Sequence, residues 1–234
     1  YVVLGIISFM CIAPVALMAV ASFTDNDVLN LYGYTYFPQK WSLEAYEFLI
    51  KQGTVISKSF LNSVLVTFMG TALGIMVTVL LAYTISRKEL VGRKLIMLFV
   101  FFTMLFNGGM VPTYLMYTQI FHIKNTMWAL LFPHLLVNGF NVLLVRTFFN
   151  ENIPEVLLEA ARIDGAGEIS IFRNVVLPIS KPILATIGLL VGVGYWNDWY
   201  NAMLYISDNE MFPLQYFLYE QINNIQAYRK ILSS

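Results

Sequence analysis

Charged residues are scarce in this sequence. They make up 12% of its 234 residues, and hydrophobic residues make up 58%, whereas soluble domains carry about 25% charged and about 45–50% apolar residues. This shortage excludes an ordinary soluble core. The formal net charge is zero, so no basic surface argues for a nucleic-acid partner.

Cysteine is almost absent as well. The one cysteine, Cys11, lies in an apolar run, so no internal disulfide can form, and we interpret the residue as a small buried or lipid-facing hydrophobe. The chain begins at Tyr1, already inside that run, with no positively charged segment before it. We therefore expect a trimmed N-terminus and no cleaved signal peptide.

Signatures of catalysis are also missing. The sequence has no G-x-x-x-x-G-K-[ST] motif, so any ATP hydrolysis must take place in a separate chain. It shows no metal-ligand cluster and no paired nucleophile and base, and we therefore predict that the chain is not an enzyme and holds no cofactor or metal of its own.

Long apolar runs are what the sequence has in abundance. Five of them reach the length of about 20 residues that a helix needs to cross a bilayer. They are residues 1–23, 60–86, 95–119, 127–149 and 182–206. They predict an all-α, polytopic membrane helix bundle that forms a single transmembrane domain over residues 1–234. Residues 207–234 contain no sixth run, and we expect a last span to be missing from the chain.

The distribution of lysine and arginine predicts the orientation. Residues 87–94 hold four cations in eight positions, whereas residues 24–59 hold three lysines in 36 positions. The positive-inside rule then places residues 87–94 and 150–181 in the cytoplasm and residues 24–59 outside. We expect the external loop at 24–59 to contain one short helix, at about residues 43–49.

The segment 150–181 is too long for a simple connection, since most connections have about 4–6 residues. Pro154 suits the first turn of a helix, and Glu155 suits the positive end of its dipole. Gly165 lies where a left-handed cap would end this helix, and a second helix would run over residues 168–176 and stop before Pro178. The sequence predicts a helix–turn–helix, with an amphipathic helix lying on the bilayer as the alternative.

Within this segment, Glu159-Ala160-Ala161 is followed after three residues by Gly165 and later by Leu177-Pro178. This combination resembles the EAA loop of ABC-importer permeases, with Val175 standing where that family has isoleucine. The whole chain resembles the carbohydrate-uptake branch, and within it the maltose-type second permease subunit and its relatives for complex glycans. Further similarities are Asn62-Ser63, Ala82-Tyr83, Gly92-Arg93, Pro112-Thr113-Tyr114 and Tyr195-Trp196-Asn197.

The resemblance implies a type I importer permease fold in the bacterial cell (inner) membrane, and a loop that docks on a cytoplasmic ATPase. The residues implied in ATPase coupling are Glu159, Ala160, Ala161, Arg162, Asp164, Gly165, Leu177 and Pro178. The implied partners, besides membrane lipid, are a second permease subunit, two ATPase subunits that bind ATP and Mg, and an extracellular or periplasmic solute-binding protein. The implied cargo is an oligosaccharide or related glycan.

An ion-coupled secondary transporter is the alternative function. That class needs ionisable groups near the bilayer midplane and inverted repeats. The first four apolar runs contain essentially no Asp or Glu, which disfavours it. Glu159 and Arg162 are spaced to pair with each other on one helix face, or one of them faces the ATPase instead.

Polar residues inside the fourth and fifth predicted spans are candidates for a solute path. The candidates are Tyr195, Trp196, Asn197, Asp198, Trp199, Asn201, Asn138 and Asn141. In the fifth span they suit a saccharide path or, equally, an aromatic belt at the outer interface. In the fourth span, His134, Asn138 and Asn141 are spaced to form one polar helix face, for interhelical hydrogen bonds or for solute contact. Residues 107–112 predict a kinked gating helix or close packing.

Overall fold

The computed structural model describes residues 2–51, 53–133 and 135–232. In these ranges the backbone is helical apart from its connections, and one isolated antiparallel bridge joins Thr24 to Trp41. A helix pairs its backbone N–H and C=O groups internally, and a segment that crosses a bilayer must do so. The predicted all-α class is confirmed.

Residues 1–57 form one of two compact units. It contains α1 (Val2–Ser22), α2 (Asn26–Tyr32) and α3 (Glu44–Lys51), and α4 (Gly53–Ser86) begins in it. α1 is long and apolar enough to cross a membrane, as the first predicted span requires.

The connection predicted at residues 24–59 differs from expectation in two ways. It holds two short helices instead of one, because Asp25 caps α2: its side chain accepts a hydrogen bond from the Asp27 N–H at 3.1 Å. Lys40 fixes this cap through an ion pair of 2.6 Å with Asp25. The second predicted span also begins earlier, at Gly53 instead of Phe60.

The second unit comprises residues 58–234 and holds the rest of α4 and the later helices. Its further α-helices are α5 (Arg93–Leu105), α6 (Met110–Leu115), α7 (Met127–Leu131), α8 (Gly139–Asn152), α9 (Glu155–Ile163), α10 (Glu168–Ile171), α11 (Leu177–Ile179), α12 (Lys181–Trp196), α13 (Tyr200–Tyr205) and α14 (Leu214–Leu232). π turns lie at Met116–Ile120 and Phe172–Val176, and a 3-10 turn lies at Asn209–Met211.

A row of small residues on α4 lets α12 pack closely against it. A β-carbon added to Gly70 would lie 2.5 Å from Cζ of Tyr195, and one added to Gly74 would lie 3.1 Å from Cγ1 of Val191. Small residues at such contacts are how membrane helices gain van der Waals contact, since lipid removes the hydrophobic driving force.

The third predicted span, residues 95–119, is a bent pair of helices. Residues 93–105 and 110–120 meet at an angle of 117°. Gly109 adopts a left-handed φ of +84°. The backbone N–H of Gly109 donates a hydrogen bond to the Asn107 side chain at 2.9 Å. The break therefore comes from a glycine conformation and an Asx-type turn.

The fourth predicted span, residues 127–149, is wrong as a single helix. α7 ends at Leu131 and α8 begins at Gly139. Pro133 has no backbone N–H with which to continue the hydrogen bonds of α7, and Asn138 caps α8 by accepting hydrogen bonds from the N–H groups of Phe140 and Asn141. The predicted polar face is lost with the helix, and His134 lies outside the described residues.

The fifth predicted span, residues 182–206, is divided as well. α12 ends at Trp196, and residues 197–199 separate it from α13. Beyond it, α14 is not among the helices that qualify as spans. In the part of the chain that the structure describes, two helices qualify alone, α1 and α4, and up to four spans result if each bent pair counts as one. Of the five predicted spans, the first two are unbroken helices, and the third, fourth and fifth are each divided.

Candidate functional site

The segment 150–181 forms the predicted helix–turn–helix. Pro154 lies just before α9 at its N-cap, one position earlier than a first-turn proline. Glu155 is the first residue of α9, and the Lys88 ammonium donates to its carboxylate at 2.7 Å. This bond holds the pKa of Glu155 below its usual range.

The turn after α9 is a Schellman motif. Gly165 has the predicted left-handed backbone, with φ of +81°. The N–H of Ala166 donates to the Ala161 carbonyl at 2.9 Å, and the N–H of Gly165 donates to the Arg162 carbonyl at 3.0 Å. These two bonds satisfy carbonyls that the end of the helix would otherwise leave without partners. Asp164 is exposed at this turn.

One side of α9 packs inward and the other faces out. Leu158 is 6% exposed and Ala161 is partly buried, but Leu157, predicted for the same apolar face, is largely exposed. An outer face consists of four exposed residues at helical spacing: Val156, Glu159, Ala160 and Ile163. Val156 is 73% and Ile163 is 86% exposed. We call these four residues the outer face of α9.

Arg162 does not pair with Glu159. Its Nη1 and Nη2 atoms donate to the two carboxylate oxygens of Glu89 at 2.7 and 2.8 Å. Its Nε and Nη2 atoms donate to Oε1 of Glu168 at 3.1 and 2.9 Å. These bonds hold the pKa of Arg162 above its usual range. Glu159 makes no ion pair with any residue that the structure describes.

The Glu168 carboxylate links Arg162 to α4, because it also binds Tyr83 on that helix. Its Oε2 atom accepts a hydrogen bond of 2.6 Å from the Tyr83 hydroxyl. The Tyr83 ring packs against Phe172 at 4.8 Å between centroids, and the Arg87 guanidinium lies 4.3 Å above it. We call Arg162, Glu89, Glu168 and Tyr83 the Arg162 network.

The second helix of the segment is longer than predicted. It passes through the π turn at Phe172–Val176 and ends at Ile179, beyond Pro178. The N–H of Leu177 donates to the Phe172 carbonyl, five residues back, and this offset accommodates a proline that has no N–H to donate. Leu177 is partly buried and Pro178 exposed, whereas Ile171 and Val176 are both fully buried.

A cavity of about 400 Å³ lies between the start of the α4–α5 connection and the α8–α9 junction. Its charged lining residues are Arg87, Lys88, Glu89, Arg93, Glu151, Glu155 and Arg162. Four cations and three anions therefore line the cavity, and it presents no field of a single sign.

A second pocket brings together the breaks of the third and fifth predicted spans. Its volume is about 360 Å³. It is lined by Asn107, Gly109, Met110, Leu135, Asp198, Tyr200 and Asn201. We call it the break pocket. The sequence placed these two breaks in separate spans, and only the fold shows that they meet.

Asp198 and Asn201 form the polar wall of the break pocket. Oδ1 of Asp198 accepts hydrogen bonds from the N–H groups of Tyr200 and Asn201 at 3.1 and 3.2 Å, which caps α13. Asn201 is 2% exposed, and its Nδ2 atom donates to Oδ2 of Asp198 and to the Pro133 carbonyl. The Oδ1 atom of Asn201 has no hydrogen-bond partner among the described residues.

The other polar candidates in the fifth predicted span have different environments. Tyr195 is 3% exposed and its hydroxyl donates to the Leu131 carbonyl at 2.7 Å, so it connects α12 to α7. Asn197 caps α12 and its side chain donates to the Val193 carbonyl. Trp196 lies edge-on to Phe60.

Trp199 and the asparagines of α8 lie apart from the residues of the break pocket. Trp199 stacks on Tyr219 of α14, with 4.3 Å between ring centroids. Asn138 is exposed and serves as the N-cap of α8, and Asn141 is buried in its first turn. None of these three residues lines the break pocket.

The sequence did not single out three residues that the structure places at these sites. Glu89 was counted only as part of a cationic loop, although an isolated carboxylate among four cations is itself unusual. Glu168 and Asn107 were likewise named only as part of their segments. Their roles depend on contacts distant in sequence, such as the 73 residues between Glu89 and Arg162.

Residues 70–228 match the family described as binding-protein-dependent transport system inner membrane component. This match covers more than half of the chain, and the chain belongs to that family.

Curated relatives agree with this assignment. The chain is 39% identical over 211 residues to the polygalacturonan/rhamnogalacturonan transport system permease protein YtcP of Bacillus subtilis, covering 90% of this chain and 72% of the relative. It is 37% identical over 215 residues to protein LplC of the same organism, covering 92% of this chain and 72% of the relative.

A solved structure shows the same fold. It is the crystal structure of a bacterial ABC transporter involved in the import of the acidic polysaccharide alginate, with a TM-score of 0.88 and 28% identity. The similarity covers 100% of this chain and 83% of the other. The chain is therefore the membrane permease component of an ABC importer, and ATP hydrolysis resides in a separate subunit.

Proposed function

We propose that this chain is one of two permease subunits of an importer for an oligosaccharide or related glycan. Several similar proteins are named for such cargo, among them YtcP and a melibiose/raffinose/stachyose import permease of Bacillus subtilis. The alternative of an ion-coupled secondary transporter receives no support from these relatives. In the proposed complex, two ATPase subunits bind ATP and Mg, and an external binding protein delivers the solute.

The single observation that carries the coupling role is the outer face of α9. Two aliphatic side chains and a carboxylate that makes no ion pair among the described residues face away from the protein on a short helix. The Schellman turn, the Lys88–Glu155 ion pair and the Arg162 network fix that helix to the rest of the unit. An exposed apolar face on a fixed helix suits insertion into a cleft of a partner. We assign that cleft to the ATPase, with Glu159 and Ala160 at the contact, whereas the partly buried Ala161 packs inward.

Crosslinking tests this role directly. Cys11 is exposed, so it is first replaced by serine. Ala160→Cys then places a thiol on the exposed outer face, and Leu158→Cys provides a matched control on the buried side of the same helix. Membranes that contain the ATPase partner are treated with a short thiol–amine reagent.

We expect a crosslink to the ATPase subunit from position 160 that changes when ATP is added, and none from position 158. If Ala160→Cys is labelled by a small thiol reagent but gives no crosslink, the coupling role is wrong. If position 158 crosslinks as well as position 160, the outer face is not the contact.

The break pocket is the proposed contact with the solute. Saccharides carry many hydroxyl donors, and the pocket offers the Asn201 amide oxygen and the Tyr200 ring, beside an Asp198 carboxylate that already accepts three hydrogen bonds within the chain. Buried polar atoms without a partner favour a ligand or water that supplies one. Among the other candidates, Tyr195 and Asn197 already use their polar groups within the chain. The outer aromatic belt is the competing role for Trp196 and Trp199.

A further inference from the structure

Arg162 belongs to the sequence motif assigned to ATPase docking, but its side chain points to a different task. All three guanidinium nitrogens are engaged within the chain, by Glu89 and by Glu168. Its side chain is 31% exposed, whereas the outer face of α9 is fully open to a partner. With four of its five N–H donors occupied, this guanidinium has little left to offer another protein.

The partners of Arg162 lie on two other elements of the unit. Glu89 belongs to the connection that follows α4, and Glu168 begins α10. Glu168 in turn accepts a hydrogen bond from the hydroxyl of Tyr83, which lies three residues before the end of α4. The contacts therefore run from α9 to α10 and from there to the membrane helix α4.

The geometry of these contacts restricts relative movement. The Arg162–Glu89 pair is a fork, with two parallel bonds of 2.7 and 2.8 Å. Bidentate pairs fix orientation as well as distance. The Tyr83 ring is held in turn by Phe172 and by the Arg87 guanidinium. Exposed ion pairs contribute little to stability, so folding alone does not account for a network of this precision.

We infer that Arg162 is a positioning residue that joins α9 to the Ser86 end of α4 through Glu89, Glu168 and Tyr83. Movement imposed on the outer face of α9 then reaches α4 as a displacement of one rigid body. The inference rests on the proposed coupling function, because it concerns what happens after the ATPase has docked.

Two conservative variants test the network. Glu89→Gln keeps the size of the side chain and removes the charge that pairs with Arg162. Tyr83→Phe keeps the ring against Phe172 and removes only the hydroxyl that donates to Glu168. Lys58→Gln is the matched control, because Lys58 makes an exposed ion pair of 2.9 Å with Glu210 that lies outside the network.

Three quantities are measured for each variant in the assembled complex: solute uptake, ATP hydrolysis, and the Ala160→Cys crosslink to the ATPase. We expect the crosslink and the hydrolysis to persist while uptake per ATP hydrolysed falls on the order of tenfold, as is typical when coupling between sites is lost. Lys58→Gln should leave uptake per ATP unchanged.

The outcomes separate the two levels of the hypothesis. If Ala160→Cys fails to crosslink in the otherwise native protein, the proposed coupling function itself is wrong. If that crosslink forms natively but is lost in Glu89→Gln and Tyr83→Phe, the network serves docking, and the inference is overturned. Unchanged uptake per ATP in both variants would overturn it too.

Discussion

The turn at Gly165 and the break pocket differ in where their polar groups find partners. The turn of the helix–turn–helix is satisfied by bonds between residues at most five apart, such as Ala166 to Ala161. In the break pocket, Asn201 reaches the Pro133 carbonyl, 68 residues away. A motif built from local bonds can present a fixed shape outward, whereas a site built from distant breaks depends on how the helices pack.

The largest effect should come from breaking the local motif at Gly165. Gly165→Val places a β-branched residue at a φ of +81°, where an L-residue is strained by roughly 1–2 kcal/mol. We expect the Schellman turn to open and uptake to fall by more than about tenfold, with the protein still present in the membrane. Uptake and membrane abundance are measured together.

Gly167→Ala is the control for this change. Gly167 has a φ of −72°, and no atom lies within 4 Å of an added β-carbon. The Gly167→Ala variant should therefore transport solute at the normal rate. Equal loss in both variants would show that the segment tolerates no substitution, and that the left-handed turn has no special part.

The next effect should come from the outer face of α9. Glu159→Lys reverses the charge of a side chain that has no ion pair in the described structure. We expect uptake to fall on the order of tenfold and thermal stability of the isolated permease to stay the same, since surface substitutions usually change stability by less than about 0.5 kcal/mol.

Glu151→Lys tests whether this effect is specific to position 159. Glu151 is also exposed, but it lies on α8 and not on the outer face of α9. Reversing the charge at position 151 should leave solute uptake unchanged. A loss of stability in Glu159→Lys would mean that the carboxylate supports the fold instead of a partner.

A smaller effect is expected where α4 meets α12, the packing on which the break pocket depends. Gly70→Ala puts a carbon 2.5 Å from the Tyr195 ring, and that ring is held by its bond to the Leu131 carbonyl. Overpacking of this kind costs about 1–3 kcal/mol. The apparent melting temperature in detergent should fall. Gly5→Ala, with nothing within 4 Å, should leave it unchanged.

The smallest effect concerns the solute itself. Tyr200→Phe keeps the ring that lines the break pocket and removes one hydroxyl. A single lost hydrogen bond is worth about 1 kcal/mol, so we expect uptake at low solute concentration to fall roughly fivefold, with ATP hydrolysis retained. Unchanged uptake would favour the aromatic belt over a solute contact for this part of α13.

The two regions also show what the sequence was able to predict. Pro154, Gly165 and the residues between them specified α9 and its turn, because helix starts and stops are encoded by near neighbours. For the break at Gly109 the sequence already predicted a kink or close packing over residues 107–112, but around Pro133 and Asn138 the apolar run alone favoured an unbroken span. Capping by Asn138 and Asp198 decided the outcome, and a cap that lies inside an apolar run is easily taken for a polar residue in a helix.

Sequence reasoning also failed to predict the contacts of Arg162, and the reason is a different one. Its helical spacing to Glu159 is a local pattern, and that pattern gave the wrong partner. Glu89 is a better partner because it offers both carboxylate oxygens to the guanidinium fork. Only the fold brings the connection after α4 close enough for this arrangement to form.

The π turn at Phe172–Val176 has a consequence for how many residues this helix requires. Ile171 and Val176 are both buried, and they are five positions apart. In a regular α-helix of 3.6 residues per turn, side chains with that separation diverge by about 140°, so they would not share a face. The π turn absorbs one extra residue and brings them together. Deleting one residue between them would leave a spacing of four, which an ordinary α-helix places on one side. This helix can therefore lose a residue here without turning its buried face outward.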